Sequence, residues 1–139
     1  GVLDPHPIAG MPEVLDLQLK GLQDIALHPR FTENHLIYFT YYKQKPGEKD
    51  VATATLGRAR WDGGATLSDV KDVFVSDAWC ATPSGARIVF DRDGRTLFMA
   101  IGVPIRLNRP GTAQPRFDVR IQPLTFPSDQ QSVDVAAIA

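Results

Sequence analysis

The chain has 139 residues, 43% of them hydrophobic and 22% charged, with a formal net charge of −1. This suits one domain with a modest core, is too short for two, and excludes a disordered chain. Fifteen basic residues are scattered without a stripe, which leaves no electrostatic case for a nucleic-acid or acidic-membrane partner.

In chain order, Gly1 to Lys20 carry Pro5, Pro7 and Pro12 and read as a loop or sheet-edge segment, because proline donates nothing to a ladder. Within it Leu15 to Leu19 alternate apolar and polar, a candidate short strand. Ile25 to Phe31, a polar turn, and Leu36 to Tyr42 read as strand, turn, strand. Lys43 to Asp50 form a solvated loop, and the next strand runs to Trp61 and stops at Asp62-Gly63-Gly64. Asp69 to Ser76 alternate with Val70, Val73 and Val75 apolar. Ala78 to Gly85 are irregular, with a turn at Pro83-Ser84-Gly85. A second hairpin follows, Ile88 to Phe90 and Thr96 to Gly102, joined at Asp93-Gly94, where glycine supplies the positive φ of a tight turn. Beyond Gly102, five prolines interrupt everything but short strands at Phe117 to Ile121 and Val133 to Ile138.

The first and second hairpins repeat one another, and two more strands lie between them. Four strands followed by a restart is the rhythm of a β-propeller blade. The expected fold is all-β, about one and a half to two antiparallel blades of one partial domain. Two unrelated hairpins in a small β domain remain the alternative. No helix of ordinary length is expected. Cys80 is the lone cysteine, so no intrachain disulfide forms, and beside Trp79 it reads as a buried core residue. No apolar run approaches the roughly 18 residues that cross a bilayer. The start at Gly1 reads as a processed or excised product with any signal peptide out of view.

The run Gly21-Leu22-Gln23-Asp24-Ile25-Ala26-Leu27-His28-Pro29-Arg30-Phe31, followed by Asn34 and Tyr38, resembles the soluble pyrroloquinoline-quinone-dependent glucose and aldose sugar dehydrogenases, the glucose/sorbosone dehydrogenase family. Gly85 to Gly102 and the lead-in Pro7 to Pro12 are similar to it as well, so the likeness covers about residues 7–102 and leaves 103–139 unaligned. The resemblance implies a six-bladed propeller with the quinone and calcium in a central funnel. It further implies an aldose as substrate, oxidised at the anomeric carbon, and a periplasmic or secreted location.

The departures bear on activity. The family's quinone-contacting Gln falls at Leu19, and its catalytic His falls at Pro83, or at Thr82 or Ser84 if the alignment slips. None of these side chains acts as a base at neutral pH. The family's Gly-Asp after the second hairpin is here Gly102-Val103, and its calcium ligands and cationic quinone clamps come from later blades. What matches is structural: Gly21, Asp24, Pro29, Phe31, Gly85, Arg87, Gly94 and Gly102 build blades. No catalytic, cofactor-binding or metal residue is expected, neither quinone nor calcium is expected to bind this chain alone, and exposed blade edges invite self-association.

Other constellations read as structure. His6, His28 and His35 are too dispersed for a metal set, and His28 before Pro29 reads as structural. Asp91-Arg92-Asp93-Gly94 lacks the downstream Glu of a calcium loop and reads as a hairpin turn. Tyr38, Phe39, Tyr41 and Tyr42 suit core and rim packing better than a stacking platform. Ser84-Gly85 has no nucleophile elbow around it.

Overall fold

A computed structural model describes residues 1–16, 20–81, 84–105 and 116–125. Two antiparallel sheets follow one another along the chain. The first holds β1 (Leu22–Leu27), β2 (Leu36–Gln44), β3 (Ala52–Arg60) and β4 (Ser68–Val75) in the order β1-β2-β3-β4. The second holds β5 (Ser84–Phe90), β6 (Thr96–Ile105) and β7 (Arg116–Thr125) in the order β5-β6-β7. This is the expected blade and restart. The only helix among the described residues is α1 (Phe31–Asn34), one turn closed at His35 in the left-handed region, where a polar turn was expected.

Why β2 is central is visible in its burial. Leu36 through Tyr42 are all buried, so the strand is covered on both faces. Leu36, Tyr38 and Tyr42 join Ala54 and Leu56 of β3 and pack on Ala86, Ile88, Leu97 and Met99 of the second sheet. This cluster is the seam between the sheets. On the opposite face, Ile37, Phe39 and Tyr41 gather with Ala59 and Leu67, with Met11, Val14, Phe31 and Trp61 against them. The four aromatic residues of β2 are therefore core, as expected.

The proline-rich start is an edge segment. Ala9 bridges Thr66 in parallel, with Ala9 N donating to Ala65 O at 2.9 Å and Leu67 N to Ala9 O at 2.9 Å. Of the candidate strand at Leu15 to Leu19, Leu15 and Asp16 are not in a strand, and 17–19 lie outside the described residues. The suggested strand at Val133 to Ile138 lies outside them as well, whereas Phe117 to Ile121 fall within β7.

Three local readings differ. A bulge shifts the β3–β4 register between Leu56 and Gly57, so Val70 packs in the second cluster while Val73 and Phe74 pack at the seam, and Val75 is exposed. An extra residue reverses which side chains face inward, which simple alternation cannot anticipate. Ser84 and Gly85 are not a turn but the start of β5, with Gly85 at φ 69° where the register shifts between Ser84 and Ala86. Cys80 is only partly buried: it sits at the sheet margin, bridging Ala52 through its backbone.

Gly57 shows why a small residue stands mid-strand. It pairs with Phe39, and a Cβ there would lie 2.4 Å from Phe39 Cε2. The fully buried ring has little room to yield, so Gly57→Ala should cost about 1–3 kcal/mol. Urea unfolding checks this, and an unchanged midpoint would mean that the ring does not lie across Gly57.

Candidate functional site

The two matching motifs meet along the seam. β1 is an edge strand, and β5 runs beside it with no strand among the described residues paired to its other edge. Free N–H and C=O groups on such an edge must find partners when buried. Blade-one side chains supply them: Asp24 Oδ2 accepts from Ile88 N at 2.9 Å, and Thr40 Oγ1 donates to the Ala86 carbonyl. Asp24 stands three residues after Gly21, and Ile88 three after Gly85, so the motifs meet in matched register. Further along, His28 at the end of β1 stacks edge-on against Phe90 at the end of β5, with centroids 5.3 Å apart. The two strands therefore run in the same direction, and Gly21 and Gly85 open at one end. That end is where the resemblance puts its chemistry.

The structure places the residues singled out in the sequence as follows. Gly21, at φ 136°, accepts from Tyr42 N through its carbonyl at 3.1 Å and launches β1. Phe31 stacks on His35 and Trp61 under the second cluster. Pro29 lies against Gly94, at φ 68° in the β5–β6 turn. Arg87 is exposed on β5, and Gly102 pairs with Ser84 and Val119 inside the second sheet. Leu19, Thr82 and Pro83 lie outside the described residues.

Beside the common end, Lys20 is buried and donates to Asp50 O at 2.6 Å. The Tyr42 hydroxyl is buried without a hydrogen-bond partner, and burial, helped by nearby Cys80, pushes its pKa up to about 12. Tyr41 is pushed up further by burial and by its hydroxyl's 2.6 Å bond to Asp72. Both phenols resist ionisation only while folded. Unfolded, they ionise near the ordinary value of 10. Their contribution to stability is thus intact below pH 10 and is lost as pH rises towards the folded values. Alkaline titration followed at the phenolate absorbance should show these tyrosines ionising together with unfolding. Smooth ionisation near pH 10 in the folded chain would contradict the burial.

One buried group and one long-range contact have no signal in the sequence. Arg58 is fully buried, bonded to Asp69 Oδ2 at 2.6 Å, and lies against the Tyr38 hydroxyl. Burial raises the pKa of Tyr38, and Arg58 opposes the rise. The pairing Tyr38↔Arg58 across β2 and β3 is a tertiary fact with no local signal. Asp24 was singled out as a blade residue, but its partner Ile88 is 64 positions away. Asp24→Ala should strand the Ile88 N–H and cost about 1–3 kcal/mol, while Asp24→Asn keeps an acceptor and should recover most of it. Urea unfolding of both variants checks this, and equal losses would contradict it.

A metal finds no donor set here: among the described residues no three His, Cys, Asp or Glu side chains gather where an ion would sit. The Asp91 and Asp93 carboxylates are instead occupied by the N–H groups of Arg92 and Arg95, at 2.6 and 2.8 Å, as befits a hairpin turn. A groove of about 580 Å³ lies on the face of the first sheet away from the seam, between Pro12–Leu15 and Lys43–Gly47. Two of its cations are already paired, Lys43 with Asp72 at 2.6 Å and Lys45 with Glu48 at 2.5 Å. No helix among the described residues is long and apolar enough to cross a membrane.

Comparison with known proteins agrees with the motifs. A glucose dehydrogenase crystal structure superposes with a TM-score of 0.65 at 27% identity, over 86% of this chain and 34% of that one. The apo form of the soluble aldose sugar dehydrogenase of Escherichia coli superposes with a TM-score of 0.64 at 26% identity, over 88% of this chain and 36% of that one. Over 82 residues the chain is 42% identical to the protein slr1608 of Synechocystis, covering 53% of this chain and 19% of that protein. It thus spans about a third of the solved structures and a fifth of the cyanobacterial relative. The glucose/sorbosone dehydrogenase family model matches residues 1–116, and with the paired antiparallel blades it shows that the chain belongs to that family.

Proposed function

We propose that this chain is the blade-building part of a quinone-dependent aldose dehydrogenase and that it does not oxidise sugar by itself. The observation that carries the reading is the seam. Asp24 and Ile88, each three residues into its motif, are spent on joining two blades, and Thr40 to Ala86 adds a second bond beside them. The positions that would do chemistry are Leu19 and Pro83, and neither residue contacts a quinone through an amide or removes a proton. Pyrroloquinoline quinone supplies the two-electron acceptor when bound in such enzymes, and the described residues do not assemble the calcium donors that go with it. Residues 7–102 carry the blade motifs and 103–139 are rich in proline; of the latter, Val103 to Ile105 complete β6 and Arg116–Thr125 form β7. A periplasmic or secreted location follows from the same reading. The test is dye-coupled oxidation of glucose and other aldoses with added quinone and calcium. No rate above the blank is expected, and sugar-dependent dye reduction would overturn the reading.

A second reading has its own observation. Leu22, Ile25 and Leu27 of β1 are 52%, 57% and 53% exposed on one face. Such a face fits a small β module that assembles with itself. The encoding DNA separates the two. A frameshift near Gly102 that restores the family's continuation favours an interrupted enzyme, and an intact short reading frame favours the module.

A further inference from the structure

His28 is 8% exposed and occupies the seam at the point where the two blade motifs touch. Its ring is held by donors. The Arg30 backbone N–H donates to His28 Nδ1 at 3.0 Å, and Asn34 Nδ2 reaches the same nitrogen at 2.9 Å. A backbone N–H cannot accept, so Nδ1 must present a lone pair, and the neutral ring carries its proton on Nε2. Turning the Asn34 amide over gives no escape, because Asn34 Oδ1 already accepts from Leu36 N at 3.0 Å. Across the seam the ring meets Phe90 edge-on at 5.3 Å, and the main chain of Gly94 interacts with it. Gly94 in turn, at φ 68°, sits close against the same segment: a Cβ there would come 3.1 Å from Pro29 Cβ and Cγ.

We propose that His28 is an acid-opened latch between the two sheets: a second proton, on Nδ1, sets a donor against the two donors that hold the ring and turns it off its edge-on contact with Phe90. Protonation also places a cation in a site shared with aromatic rings. On its own segment the charged neighbours are Arg30, which opposes the added charge, and Glu33, which favours it. From the first sheet it meets Tyr38 of β2, with the Arg58 guanidinium of β3 behind that hydroxyl. Phe90 of β5 brings no charge, and the turn bearing Gly94 has exposed Asp91 and Asp93 balanced by Arg92 and Arg95. Burial first, then Arg30, hold the imidazole below its ordinary value of 6.5, against the opposing pull of Gly94 and Glu33. The sign follows: the unfolded chain takes up the proton more readily than the folded one. Stability is therefore whole above pH 6.5 and falls as pH drops towards the lower folded value.

The test compares urea unfolding of the full chain with His28→Asn, whose Oδ1 accepts in place of Nδ1 and does not titrate. Between about pH 7.5 and pH 5 the native chain should lose up to about tenfold in folded-to-unfolded ratio per pH unit beyond the loss in the variant. Parallel pH dependence of the two would overturn the latch. If the variant does not fold, nitrogen NMR of the native imidazole decides. Protonation on Nε2 alone, persisting below the ordinary midpoint, is expected. A proton on Nδ1 at neutral pH, or ordinary titration near 6.5, would overturn the latch.

Discussion

Replacing Pro83 by histidine should leave dye-coupled aldose oxidation at the blank, with quinone and calcium present. A positioned general base contributes roughly a hundredfold to ten-thousandfold in rate, which on its own would make such a replacement worth making. That factor acts only on a substrate already held against its oxidant. Positioning is the larger share, up to roughly 7–11 kcal/mol of a barrier, and a base without it has nothing to deprotonate. Here the residue at the expected quinone contact is Leu19, and among the described residues no three metal-ligating side chains converge. Adding back a base should therefore restore nothing. Activity in Pro83→His and none in the native chain would show that the scaffold is whole and that only the base is missing.

The second large effect is on assembly. At high micromolar concentration the native chain should sediment as more than a monomer, through the open β1 face. Leu22, Ile25 and Leu27 lie across from Tyr41, Phe39 and Ile37, so they extend the second cluster outward to a free edge. On the second sheet, Val89 is likewise 61% exposed. Burying a large aliphatic side chain fully is worth about 1.5–3 kcal/mol, and these three are half-way exposed. About 1 kcal/mol each, or about 3 together, corresponds to roughly a hundredfold in association. Changing all three to Thr keeps β propensity and should return the chain to a monomer. A compact native monomer at that concentration would refute the account of this face.

What was legible in the sequence was whatever is local. Hairpin strands show as alternation, and Asp93-Gly94 and Asp62-Gly63-Gly64 announce their turns because glycine alone reaches those angles without strain. The seam was not legible, because it joins Asp24 to Ile88, Thr40 to Ala86 and His28 to Phe90 over long separations. Burial of β2 on both faces was hidden for the same reason: alternation reports one covered face, and Leu36 to Tyr42 have two. The reading of Ser84-Gly85 as a turn failed because a positive-φ glycine serves a strand bulge as well as a turn. Of the candidate site, the motif residues stand out by their turn and strand chemistry, whereas Arg58 and the orphaned Tyr42 hydroxyl carry no signal in their neighbours.

The central claim is that the chain builds blades without building a cofactor site. Titrating the native chain with pyrroloquinoline quinone in the presence of calcium, followed by fluorescence, tests it most directly. The account predicts no saturable binding in the micromolar range. A saturable isotherm there would contradict it, because it would mean that these blades place the quinone without the residues on which the family relies.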